Sequence, residues 1–210
     1  MLEILRRLES TLSAPSERSG NAFLTLVRTV LSQNTTSRNA DLAFRRLVGR
    51  LTTPEELASA DVREIARLIR PSGMYRIKSK NLRLMSRALL ERYGGDLRRV
   101  LRMPYPDAKR ELKSLPGVGQ KTADVVLAFA GGRDVFPVDT HVFRLSRRLG
   151  FAGEKDGYED VRRKLESVTP RGKRVMAHLL FIQLGRRICR ARNPRHDECP
   201  VRDLCPSAPA

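Results

Sequence analysis

Apolar residues recur along the chain at three- and four-residue intervals, and nowhere do they alternate for more than a few residues as in a strand. The spacing predicts a helix over 23–31 and another over 40–51, with Leu42, Phe44, Leu47 and Val48 facing inward. Thr53-Pro54-Glu55-Glu56 reads as a capping box with proline at the first helical position. Asp61-Val62-Arg63-Glu64 repeats that signal and opens a helix through Ile65, Leu68 and Ile69. Further helices are predicted over 78–93, 107–114, 119–130, 141–149, 158–167 and 173–188, the 119–130 helix being stopped by Gly131-Gly132. Residues 1–20 also mix apolar and charged positions as a helix does. The pattern holds no internal repeat and no low-complexity segment, and the fold class it predicts is all-α.

Charge changes the picture. The 210 residues carry 41 Lys plus Arg against 23 Asp plus Glu, a formal charge of +18. Such an excess points to a polyanionic partner, nucleic acid first. The N-terminal 20 residues lack the unbroken apolar stretch of a signal peptide, and no run approaches the roughly 18 apolar residues of a membrane span. A cytoplasmic, nucleoid-associated protein of a prokaryote, acting as a monomer, is therefore expected. The three cysteines, Cys189, Cys199 and Cys205, all fall in the last 22 residues. An odd, clustered set in a reducing compartment indicates metal before disulfide. From Gly185 to Arg195 the chain carries five arginines and no acid, and the Pro-punctuated tail beyond holds too few apolar residues to pack unaided.

The chemistry concentrates in two stretches. In LPGVGQKT (115–122) the helix before Pro116 must stop, because proline pushes its predecessor out of helical geometry. Gly117 and Gly119, around Val118, permit positive φ and an uncovered backbone, and the next helix starts at once. Its N-terminal amides and dipole make an anion site suited to a DNA phosphate. Lys121 lies in the first turn of that helix, where the dipole and partial burial favour a neutral amine able to form a Schiff base. A phosphate-contacting or solvated lysine is the alternative. The second stretch is FPVDTHVFRLSRRLG (136–150), in which Asp139 or Thr140 can be a plain N-cap. A rigidly held aspartate can also shuttle protons or stabilise a cationic sugar across a groove from the hairpin.

LPGVGQKTADVVL followed about twenty residues later by VDTHVFRLSRRLG resembles the helix-hairpin-helix DNA glycosylases of the endonuclease III type, over about Asn21 to Cys205. The resemblance implies that Lys121 attacks C1′ of a flipped, damaged nucleotide and that Asp139 is its catalytic partner. It places Gly117, Val118, Gly119, Thr140 and His141 against DNA. LSQNTTS (31–37) corresponds to the segment whose glutamine, here Gln33, fills the hole left by the extruded nucleotide. The alternative is a polar loop in which Asn34, Thr35 and Thr36 are caps. SGMYRIKSKN (72–81) corresponds to a second loop with a wedging residue, here Met74.

The tail CRARNPRHDECPVRDLC keeps the family's C-x6-C-x2-C-x5-C spacing with His196 in place of the second cysteine. The resemblance implies a 4Fe–4S cluster on Cys189, His196, Cys199 and Cys205; a Cys3His zinc site is the alternative. Two helical lobes are implied with a DNA-binding cleft between them. One is a barrel over 20–133 containing the helix-hairpin-helix at about 107–130; the other joins 1–19 to 134–210 and carries the metal loop at 189–205. The function implied is base excision of oxidised pyrimidines from double-stranded DNA, with strand incision by β-elimination. A mismatch or alkylation glycosylase on the same fold, or a non-catalytic helix-hairpin-helix module, is the rival reading.

Overall fold

A computed structural model describes residues 1–12 and 20–209, and among them there are α-helices and short 3₁₀ turns but no strand. The rest of the 1–20 pattern, residues 13–19, lies outside the described residues. The chain divides into two compact units, Met1–Glu17 with Asp134–Ala210, and Arg18–Arg133.

The second of these units holds α2 (Ala22–Leu31), α3 (Ser37–Val48), α4 (Pro54–Ser59), α5 (Val62–Leu68), α6 (Tyr75–Tyr93), α7 (Arg98–Leu101), α8 (Tyr105–Ser114) and α9 (Gln120–Phe129). The long α6 is its spine, packing on α2, α4 and α5, while α2 also packs on α3 and α9. Leu26, Val27, Leu31, Leu47, Leu57, Ile65, Ile69, Leu82, Met85, Leu112 and Val126 are buried in this unit. The other unit holds α1 (Leu2–Thr11), α10 (Thr140–Arg148), α11 (Tyr158–Val168) and α12 (Arg174–Arg187), followed by the cysteine tail. Its core joins Leu5 and Leu8 of α1 to Phe136, Val142, Leu145, Leu165, Phe181 and Leu184. Gly185 lets α10 and α12 come close, since a Cβ there would fall 2.9 Å from the His141 Cβ. Arg7 bonds Glu3 on its own helix and reaches Asp203 at 2.5 Å and the Pro200 carbonyl, so α1 clasps the cysteine tail.

Several boundaries differ from the pattern. The Thr53 capping box forms with both of its bonds, but Asp61 only accepts from Arg63 N at 2.7 Å, while Glu64 lies 3.8 Å from Arg50. α3 starts at Ser37, three residues early, with Thr36 as its N-cap, and it buries Ala40, Ala43 and Leu47. Leu42, Phe44 and Val48 are half-buried, because small alanines take the closest approach. α6 also starts three residues early, at Tyr75, and α7 is too short to show a period.

Candidate active site and nucleic-acid interface

The helix-hairpin-helix is formed by α8, the turn 115–119 and α9. Pro116 follows Leu115, which has left helical geometry at φ −76°, ψ 136°. Only Gly117 is left-handed, at φ +81°, and a Cβ on it would lie 2.9 Å from Asn81 Nδ2 of α6. Gly119 is extended (φ −92°, ψ −178°), which any residue can adopt; what it leaves is an open approach, with nothing within 4 Å of where a Cβ would be. Val118 has a buried side chain, and its amide donates to Leu115 O at 3.1 Å. It therefore builds the turn from inside. No side chain caps the N-terminus of α9, and Lys121 is its second residue, half-buried. The hairpin arms are braced by Asp124, fully buried, which accepts from Tyr105 Oη and Lys109 Nζ, each at 2.8 Å. That ionic brace gave no periodic signal in the sequence.

Gln33 is docked on this hairpin. Its Nε2 donates to the Gly117 carbonyl at 2.9 Å and to Thr122 Oγ1 at 3.0 Å. Asn34 next to it is left-handed (φ 51°), and its Nδ2 lies 3.6 Å from Met74 Sδ. Met74 is left-handed as well (φ 48°) at the start of α6, with half of its surface exposed. The two segments, forty residues apart in sequence, thus meet beside the hairpin. Thr36 acts as a true cap, accepting from Asn39 N at 3.3 Å.

Under both segments sits Lys78, the first residue of the helix predicted over 78–93 and the fourth of α6. It is 3% exposed, and its Nζ donates to Leu31 O, Gln33 O and Ser72 O at 2.9, 2.7 and 2.8 Å. Burial pulls its pKa down to about 8, while the three carbonyls favour the charged form. A lysine directly after an apolar residue on a helix was the only visible signal.

In the other unit Asp139 is the N-cap of α10, with Oδ1 accepting from Val142 N at 2.8 Å. That bond fixes the carboxylate and leaves Oδ2 outside the cap. Thr140 is exposed at the helix start. His141 is half-buried with Arg144 Nη2 3.2 Å from its Nδ1. Burial lowers its pKa, the Asp139 charge opposes this, and Arg144 and Arg186 reinforce it. Of the tail arginines, Arg186, Arg187, Arg190 and Arg192 are exposed, and Arg195 pairs with Glu198 at 3.1 Å.

Cys189, His196, Cys199 and Cys205 line one cavity with Leu145, Leu149, Leu184, Ile188 and Val201. The cysteines are free. Burial pushes the Cys199 thiol up, a backbone hydrogen bond from Val201 opposes this, and the neighbouring Cys189 and Cys205 add to the rise. Arg148 Nη1 donates to Cys189 Sγ at 3.2 Å, and Cys205 Sγ donates to Arg148 O at 3.4 Å. Thiols gathered in an apolar pocket with an N–H donor on sulfur are a donor set that fits an iron–sulfur group. Among the described residues no three His, Cys, Asp or Glu side chains converge on a site for a single metal ion.

The hairpin and the Asp-capped helix define a class. The family model for HhH-GPD superfamily base excision DNA repair proteins matches residues 27–171, and that for the iron–sulfur binding domain of endonuclease III matches residues 189–205. Endonuclease III of Thermotoga maritima is 36% identical over 190 residues, 90% of this chain and 85% of that protein. Endonuclease III of Escherichia coli K12 is 35% identical over 206 residues, 97% and 93% of the two chains. A solved structure of a trapped endonuclease III–DNA covalent intermediate superposes with a TM-score of 0.88 at 32% identity, covering 98% of this chain and 94% of that one. The chain belongs to the endonuclease III family. No helix among the described residues is long and apolar enough to cross a membrane.

Proposed function

We propose that this chain is a DNA glycosylase and AP lyase that removes oxidised pyrimidines from duplex DNA, with Lys121 as nucleophile and Asp139 as its catalytic partner. The observation that supports the reading is the docking of Gln33 on Gly117 O and Thr122 Oγ1, which holds the glutamine taken to fill the hole against the hairpin that bears Lys121. Glycosylases pay a few kcal/mol to extrude a nucleotide, and side chains that occupy the gap offset part of that cost.

The open backbone at Gly119 and the N-terminus of α9 grip phosphate without reading sequence. Thr140 and His141 supply polar groups for the strand, as the family motif implies. Lys121 Nζ, as the neutral amine, attacks C1′; the glycosidic bond breaks with its electron pair leaving on the base, which takes up a proton. The sugar ring then opens to a protonated Schiff base, loss of a 2′ proton expels the 3′ phosphate, and water releases the lysine. The Asp139 carboxylate takes the proton from the attacking amine and balances the positive charge on the sugar. The chain works as a monomer on double-stranded DNA in the cytoplasm, at the nucleoid.

Incision of a set of duplexes tests the substrate. Strands holding an oxidised pyrimidine should be cut, and those holding a mismatched normal base or an alkylated purine should be cut far less. The opposite order would overturn the assignment of the lesion class.

We also propose that Cys189, His196, Cys199 and Cys205 hold a 4Fe–4S cluster, the histidine replacing a thiolate with a neutral ligand as in Rieske centres. Held there, the cluster staples a tail that has little core of its own. Protein prepared without oxygen should be yellow-brown and contain iron and sulfide. His196→Cys should keep its colour longer in air. Zinc in place of iron would refute the cluster, and a folded, active protein free of metal would refute any metal role.

A further inference from the structure

A buried lysine is a poor way to stabilise a helical core. Removing a cation from water costs several kcal/mol, and apolar replacements of buried charges are often neutral or stabilising. Lys78 nevertheless sits 3% exposed on α6 and spends its three N–H donors on three backbone carbonyls. Those carbonyls come from two separate segments. Leu31 O ends α2 and Gln33 O lies in the turn just past its C-cap Ser32, where a cation also meets the negative end of the helix dipole. Ser72 O belongs to the turn that leads into Met74.

Just beyond each anchor the backbone turns left-handed, at Asn34 (φ 51°) on one side and at Gly73 (φ 64°) and Met74 (φ 48°) on the other. For non-glycine residues that conformation costs roughly 1–2 kcal/mol each and persists only where the surroundings over-determine it. We propose that Lys78 is a positioning residue that locks the Gln33 segment and the Met74 segment into one inserting unit, so that both side chains enter the base stack in fixed register. The proposal rests on the reading of Gln33 and Met74 as inserting residues. The other cations of the Met74 segment, Arg76 and Lys80, are exposed, and the side-chain link from Asn34 Nδ2 to Met74 Sδ is exposed and long at 3.6 Å. Asn81, one turn further along α6, lies against Gly117, so the same helix also sets the distance from the inserting unit to the hairpin.

The test uses duplexes with 2-aminopurine beside the damaged base, whose fluorescence reports unstacking, and the full-length protein. Lys78→Met keeps the side-chain length and removes all three donors. It should slow the unstacking signal and single-turnover base removal by about tenfold, the loss of one charge-assisted anchor. Cutting at a preformed abasic site, where no base has to be unstacked, should change much less. Added to Gln33→Ala/Met74→Ala, the same substitution should slow unstacking little further, because the residues it positions are gone. If Lys78→Met does not fold by circular dichroism, Lys78→Gln, which keeps two donors, takes its place with a smaller slowing expected. Equal slowing on abasic and damaged duplexes, or full additivity with Gln33→Ala/Met74→Ala, would overturn the clamp alone. Normal unstacking by Gln33→Ala/Met74→Ala would overturn the insertion reading, and the clamp with it.

Discussion

Lys121→Ala is expected to yield no covalent adduct when borohydride is added during turnover on a damaged duplex, whereas the wild-type protein should be trapped through the reduced Schiff base. That adduct requires an amine that condenses with the sugar to an imine or iminium, and Lys121 offers one in the first turn of α9, next to the open backbone at Gly119. Strand incision should be abolished along with trapping. DNA binding should be largely kept, because the phosphate grip proposed above uses backbone amides, and Arg186, Arg190 and Arg192 stay exposed to add to it. Replacing a half-buried lysine by alanine, the best helix former, should leave α9 intact. The melting temperature should therefore stay close to wild type, which separates lost chemistry from lost fold. Undiminished trapping in Lys121→Ala would place the nucleophile elsewhere.

The second large effect is expected at Asp139, an N-cap that is also the proposed catalytic partner. Its Oδ1 accepts from Val142 N at 2.8 Å, and an asparagine Oδ1 can accept the same bond. Asparagine caps as well as aspartate, whereas alanine at such a position costs about 1 kcal/mol. Asp139→Asn should thus melt within a degree or so of wild type while losing about 10²–10⁴-fold in base removal, the range for a missing proton-transfer group. Asp139→Ala should lose both. Calorimetry with single-turnover assays on the two variants resolves the roles: a fully active Asp139→Asn would reduce the residue to a cap.

The site was legible in the sequence to the extent that its parts are local. Pro116 ending α8, the glycine turn, Lys121 in the first turn of the next helix and Asp139 at a helix start are all relations within a few residues. Such relations obey the steric and capping rules of short peptides. The cysteine spacing is equally local, and Cys189, His196, Cys199 and Cys205 do share one cavity. Gly117 takes the positive φ that a glycine permits, whereas Gly119 is extended and contributes only the uncovered backbone, since sequence tells where a glycine stands and not which φ it adopts.

What determined the helical class, most of the helices and the chemical inventory was the 3.6-residue period and its punctuation, which act through each segment's own backbone. Which side chains answer one another was decided only in three dimensions. Gln33 reaches the Gly117 carbonyl across 84 residues, Arg7 reaches Asp203 across 196, and Lys78 gathers carbonyls from two loops. None of these leaves a period in the chain, because a carbonyl is present at every residue and carries no sequence identity. Lys78 therefore reads as one more basic residue on a helix until the fold withdraws it from water, and burial then obliges its three donors to find partners.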